Sequence, residues 1–168
     1  MERNGDGGPA GGRRRVLSSA RLAAVQAIYQ LDMTEASAEG VVEEFLRHRA
    51  GAAFDEGEEG IAPDSALFAE LVGGVARERE ALDRVIAAQL VEAWPLARIE
   101  KVMAATLRAG AFELMHRPEV PARVVINEYV DVAHAFVGDK EVGMVNGVLD
   151  RLARAVRGAE MGEAEGKG

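Results

Sequence analysis

The chain contains no cysteine. Disulfides and thiolate-bound metals are thereby excluded, and a reducing cytosol suits such a sequence. It has no apolar run near the roughly 20 residues that a membrane span requires. No charged-then-apolar leader opens it either, so the expectation is a soluble, cytoplasmic protein with no membrane partner. Positive charge is scarce: 20 Lys and Arg face 28 Asp and Glu, for a net charge of −8. That balance argues against a general nucleic-acid binder, because phosphate recognition needs cations. The three histidines, His48, His116 and His134, lie far apart and have no second ligand at metal-binding spacing. Ser18 and Ser19 belong to no nucleophile-elbow pattern. No glycine-rich phosphate loop with a following Lys-Ser/Thr is present. The expectation is therefore no metal, no cofactor, no catalytic residue and no enzyme.

What the chain does have is enough apolar residue, 48% of 168, to bury a core as one domain. Its charge is also unevenly spread. Arg13, Arg14, Arg15 and Arg21 gather near the start, while acids collect between Glu35 and Glu59 and in the tail at Glu160, Glu163 and Glu165. A basic patch can therefore sit on an acidic body. Residues 1–12 are glycine-rich and read as a disordered tail, as do residues 158–168. Residues 51–62 read as a solvated acidic loop.

Between these segments the apolar spacing is helical. Leu22, Val25, Tyr29 and Asp32 follow it in a first helix, and Val41, Val42, Phe45 and Leu46 in a shorter second one. Asp64 or Ser65 can cap a third, which buries Leu67, Phe68, Leu71, Val72 and Val75. A break near Arg79 is expected, with Leu82, Val85, Ile86 and Leu90 on a separate helix ending at Trp94-Pro95. Ile99, Met103, Leu107 and Leu114 mark the next helix, stopped by Pro118. Pro121 opens another with the stripe Val125, Tyr129, Val132 and Phe136, and Gly138 closes it. The last helix carries Val142, Val145, Leu149, Leu152 and Val156. No period-two alternation suggests strands. The expected architecture is all-α, about seven helices in two small bundles, spanning residues 13–157. Gly73-Gly74 falls inside a helix, where glycine costs about 1 kcal/mol relative to alanine, so either a close helix contact or a kink is expected there.

Four segments point further. They are Arg21 to Gln30 behind the arginine triplet; Glu70-Leu71-Val72-Gly73-Gly74-Val75 followed by Leu82-Asp83; Leu107 to Leu114; and Val120-Pro121 with Val124 to Glu128, joined to Val145-Asn146-Gly147-Val148-Leu149-Asp150. Together, from about Arg13 to Arg154, they resemble the NusB family of bacterial transcription antitermination factors. The resemblance implies two small helix bundles. It implies binding to the boxA element of ribosomal RNA leader transcripts. It also implies a complex with NusE, a small-subunit ribosomal protein, that joins RNA polymerase and other Nus factors in the elongation complex.

In that role Arg13, Arg14 and Arg15, on a flexible arm leading into the first helix, suit phosphate, with Arg21 one turn into the helix. Tyr29 can stack on an unpaired base and Gln26 can pair with a base edge. Met144 and Asn146 complete the expected RNA-binding set at the start of the last helix. Each has a structural alternative: Tyr29 lies on the apolar stripe, Gln26 can face water, and Asn127, Glu128 and Gly147 read as helix-to-helix contacts. Met144 stands where the family commonly has an aromatic residue, and methionine lacks a stacking face. Two other readings remain beside this one. NusB-like domains also front some ribosomal RNA cytosine methyltransferases, which need a Rossmann-like domain and a catalytic cysteine that are not in this sequence. A helical adaptor without RNA recognition, or a homodimer that hides the arginines, would carry the same fold.

Overall fold

The computed structural model describes residues 9–52, 63–90 and 95–162. Among them the chain forms α1 (Pro9–Met33), α2 (Ala38–Ala52), α3 (Ser65–Ala87), a short 3-10 turn (Leu96–Arg98), α4 (Lys101–His116), α5 (Ala122–His134), α6 (Asp139–Val156) and α7 (Gly158–Gly162). No strand occurs among the described residues, as the period of the apolar positions demands. The residues 1–8, most of the acidic loop, Trp94 and residues 163–168 lie outside those described.

α4 organises the fold. It packs on α1 and α3 on one side and on α5 and α6 on the other, while α2 covers α3. Every residue from Met103 to Leu114 is buried. A helix surrounded on all sides needs apolar and small residues all round, and Ala104, Ala105, Ala109, Gly110 and Ala111 supply them. Its polar residues are each answered inside. The Thr106 hydroxyl donates to the Val102 carbonyl at 2.8 Å. Arg108 donates to Asp83 at 2.7 Å and to Asp32 at 2.9 Å. Asp32, which the spacing puts on the apolar side of α1, thus has a buried cation as its reason for being there.

The glycine pair resolves into two different positions. A Cβ on Gly74 would stand 2.3 Å from the Phe112 ring, so α3 and α4 meet there only because the side chain is missing. A Cβ on Gly73 would meet nothing closer than the Arg77 guanidinium at 3.4 Å. Close approach, not a kink, explains Gly74.

Several boundaries differ from the expectation. α3 runs unbroken past Arg79, because no glycine or proline interrupts it there and Leu82 and Ile86 continue its buried stripe. Arg79 itself reaches Asp32 on α1 and Asp83 on its own helix. α1 starts at Pro9, inside the segment expected to be unstructured, so the arginine triplet lies on helix and not on a loose arm. α2 continues to Ala52, two residues into the expected loop. α5 ends at His134, and Phe136 in the following turn is left 37% exposed.

The segment after Arg157 is ordered by hydrogen bonds that hydropathy does not reveal. Arg157 closes the C-terminal end of α4: Nε donates to the Leu114 carbonyl at 2.8 Å, Nη2 to the Arg117 carbonyl at 2.7 Å and Nη1 to the Val120 carbonyl at 2.5 Å. A cation at orphan carbonyls also complements the helix dipole. Glu160 then accepts the Ala122 N–H at 2.7 Å, capping the first turn of α5. Met161 on α7 is buried.

Replacing Gly74 by alanine forces a methyl group into the Phe112 ring and is expected to cost about 1–3 kcal/mol of stability. The same change at Gly73 is expected to be neutral or to gain up to about 1 kcal/mol through helix propensity. Urea midpoints of the two single variants check this contrast.

Candidate nucleic-acid interface

The arginine triplet occupies the first two turns of α1, and all three side chains are exposed. Arg13 makes one contact, to Asp64 at 3.5 Å, with its own side chain 68% exposed. Among the described residues Arg14 and Arg15 have no ion-pair or hydrogen-bond partner. Arg13 and Arg14 open on a groove of about 490 Å³ between α1 and α5, floored by Leu17 and walled by Arg117, Val124 and Asn127. Two exposed guanidinium groups beside a groove, one of them with a single long contact, can hold a polyanion's phosphates.

Arg21 also borders this groove, but its guanidinium is engaged from behind. It is 3% exposed. Its Nε donates to both carboxylate oxygens of Glu113 on α4, at 3.0 and 3.1 Å. Its Nη1 lies 3.8 Å from Glu128 on α5. The Ser18 hydroxyl donates to the same Glu128 carboxylate at 2.8 Å. The expected phosphate ligand is therefore a buried ion-pair residue joining three helices, and its charge is already spent on two carboxylates. Burial works against the Arg21 cation, but Glu113 and Glu128 outweigh it and raise its pKa. Burial also raises the pKa of Glu113, against the lowering by Arg21. The Tyr129 hydroxyl, fully buried beside this cluster, has no hydrogen-bond partner among the described residues, and burial raises its pKa well above the usual phenol value.

The remaining expected residues are spread out. Gln26 is exposed and lines a separate, shallower groove with Gln30, Glu44 and His48, over the stacked rings of Phe45 and Phe68, whose centroids are 3.7 Å apart. Tyr29 is 39% exposed, since Ala24, Val25 and Ile28 fill the core from α1. Met144 is half-buried against the core on α6, and Asn146 is exposed on the same helix. Neither groove is lined by Tyr29, Met144 or Asn146. Of the residues expected to be structural, Glu128 is buried and paired. Asn127 instead faces solvent in the arginine groove. Gly147 is not a helix crossing: a Cβ there would meet only the Arg151 guanidinium, at 3.1 Å. Asn127 and Arg117 were absent from the expected interface. Helix periodicity could have found Asn127, because residues 124, 127 and 131 fall on the outward face once Val125, Tyr129 and Val132 point in.

The sequence profile described as "NusB family" matches residues 18–154. The chain belongs to the NusB family. It is 51% identical over 144 residues to the transcription antitermination protein NusB of Bradyrhizobium sp. (strain ORS 278), covering 86% of this chain and 85% of that protein. It is 49% identical over 142 residues to the transcription antitermination protein NusB of Nitrobacter hamburgensis, covering 84% of this chain and 88% of the relative. Its fold matches the solved structure titled "T. maritima NusB, P3121, Form 2" with a TM-score of 0.71 and 25% identity, over 87% of this chain and 96% of that one. NusB-family proteins are transcription antitermination factors, not enzymes. Among the described residues no helix is long and apolar enough to cross a membrane.

Arg21→Met leaves Glu113 and Glu128 buried without their cation, and the Glu113 pKa, already above 4.5, rises further. The folded state then holds a proton that the unfolded chain has released, so stability falls as pH rises through that window. We expect a loss of about 3–5 kcal/mol at pH 8 and a smaller one at pH 5. Urea unfolding of parent and variant at both pH values checks it; an equal loss at the two would contradict the assignment.

Proposed function

We propose that this chain binds the boxA element of ribosomal RNA leader transcripts and, together with NusE, supports processive transcription by RNA polymerase. One observation carries the reading: Arg13, Arg14 and Arg15 are exposed on consecutive positions of α1, beside a groove, in a protein whose net charge is −8. In so acidic a chain, three neighbouring cations with at most one weak partner among them are a local exception that favours an anionic ligand. Single-stranded RNA also needs surfaces for unpaired bases. Gln26 and Tyr29 further along α1, with Met144 and Asn146 on α6, are the proposed continuation of that path. Arg21 contributes by holding α1 against α4 and α5, not by touching RNA. The proposed RNA-binding unit extends from the start of α1 through α7, because the Arg157 and Glu160 contacts hold the turn that carries the groove wall.

The test is fluorescence anisotropy with a boxA oligonucleotide and a scrambled control, with and without NusE, across a salt series. Selective binding that tightens with NusE is expected. Arg13/Arg14/Arg15→Ala is expected to weaken it and to flatten the log–log salt slope by about 2, at roughly 0.7 per single-strand phosphate contact. Equal affinity for boxA and scrambled RNA in every condition would leave a helical protein-binding adaptor as the better account.

A further inference from the structure

The groove between α1 and α5 has two chemically different halves. On the α1 side stand the guanidinium groups of Arg13 and Arg14. On the α5 side, Val124, Asn127 and Asp131 occupy successive turns at spacings of three and four, so they share one face. Val124 is 43% exposed, one of the few large apolar side chains left in solvent. The Asn127 amide and the Asp131 carboxylate are exposed and make no hydrogen bond or ion pair among the described residues. Leu17 forms an apolar floor between the halves.

The electrostatics orient an occupant. A phosphate belongs with Arg13 and Arg14 and is repelled by Asp131. The other acid of the lining, Glu128, is already compensated by Arg21 and Ser18. Arg117, the cation on this side, is already paired with Glu70 and Glu119. Asp131 therefore disfavours a phosphate there, and the part of an RNA strand that suits Val124 and Asn127 is a base, which is uncharged, flat and able to hydrogen-bond at its edge. At about 490 Å³ the groove falls within the roughly 300–1,000 Å³ of small-molecule sites.

We infer that this groove takes one nucleotide of a single-stranded RNA, with its phosphate on Arg13 and Arg14 and its base against Val124, read at its edge by Asn127 and Asp131. The inference rests on the RNA-binding reading above and adds a base-reading site to it. Asn127 offers one donor pair and one acceptor, the set that pairs bidentately with adenine N6 and N7. Asp131 offers acceptors only. Together they favour a base bearing an exocyclic amine over uracil, whose edge offers one donor, N3–H, between two carbonyl oxygens that a carboxylate repels. The α1 side contributes affinity without sequence preference, and the α5 side contributes preference.

The experiment replaces each base of the boxA oligonucleotide in turn and measures affinity for the full chain and for Asn127→Ala, Asp131→Ala and Arg13/Arg14→Ala variants. For the parent, placing uracil at one position is expected to weaken binding about tenfold, the lower part of the range for one good base contact. In Asn127→Ala that preference disappears at that position alone, and the salt slope is unchanged. Asp131→Ala reduces the same preference. Arg13/Arg14→Ala weakens binding to all oligonucleotides alike and lowers the slope. If Asn127→Ala keeps the parent's preference at every position while the arginine variant still weakens binding, the base-reading site is wrong and the RNA reading survives. If the parent itself does not distinguish boxA from scrambled RNA, both fail. Asn127 is exposed, so its variant is expected to keep the parent's circular dichroism and urea midpoint.

Discussion

A single guanidinium sets how α1 meets the rest of the molecule. Arg21 is sealed between α1, α4 and α5, bonded to Glu113 and close to Glu128. Apolar packing tolerates small slips, but a buried charge does not: moving α1 by one residue would strand a cation and two carboxylates away from water. That geometric demand fixes the rotation of α1, and the rotation decides which of its side chains face out. Arg13 and Arg14 reach the groove because Arg21, two turns on, is held inward. The residue that sequence patterning assigns to the RNA thus acts one layer beneath it, as the part that aims the others.

A second ion cluster does the same at the far end of α1. Asp32 receives Arg108 from α4 and Arg79 from α3. The helix is therefore pinned at its middle and near its C-terminal end by charges that only fit one register, with small apolar residues such as Ala24 and Ala27 between them. This arrangement also bears on the net charge. Several of the arginines are consumed by internal ion pairs, which leaves the triplet on α1 as a concentrated exposed cation in a chain of net charge −8.

Much of the fold was legible because it depends on period. Val125, Tyr129 and Val132, then Val142, Val145, Leu149 and Leu152, are buried as read and Asp64 caps α3, whereas Phe136 and Val156, the last positions of the two stripes, are exposed. The misreadings share a cause. Arg21, Arg79 and Arg157 are polar residues whose partners lie far along the chain, and hydropathy assigns such residues to solvent or to a boundary. Arg21 therefore looked like a ligand contact, Arg79 like a helix break, and the segment after Arg157 like a loose tail. Tyr29 was open to two readings, a stacking residue or part of the apolar stripe, and it is left exposed because smaller neighbours already fill the core. The family resemblance was legible as an ordered set of short motifs. The groove was not, because it is shaped by outward positions of α1 and α5 that come together only when the helices pack.

The Arg157 clamp has a consequence for how the protein is made. The carbonyls it satisfies at Arg117 precede it by 40 residues. At about 5–20 residues per second, a ribosome needs roughly 2–8 s to cover that distance. Throughout that interval α4 and the start of α5 exist as chain but have open ends, with their last carbonyls and first amide facing water. The central helix of the fold, which packs on α1, α3, α5 and α6, is thus among the last elements to be closed. Assembly is governed by the arrival of a distant side chain, so the order of synthesis and the order of structural completion run in opposite directions here.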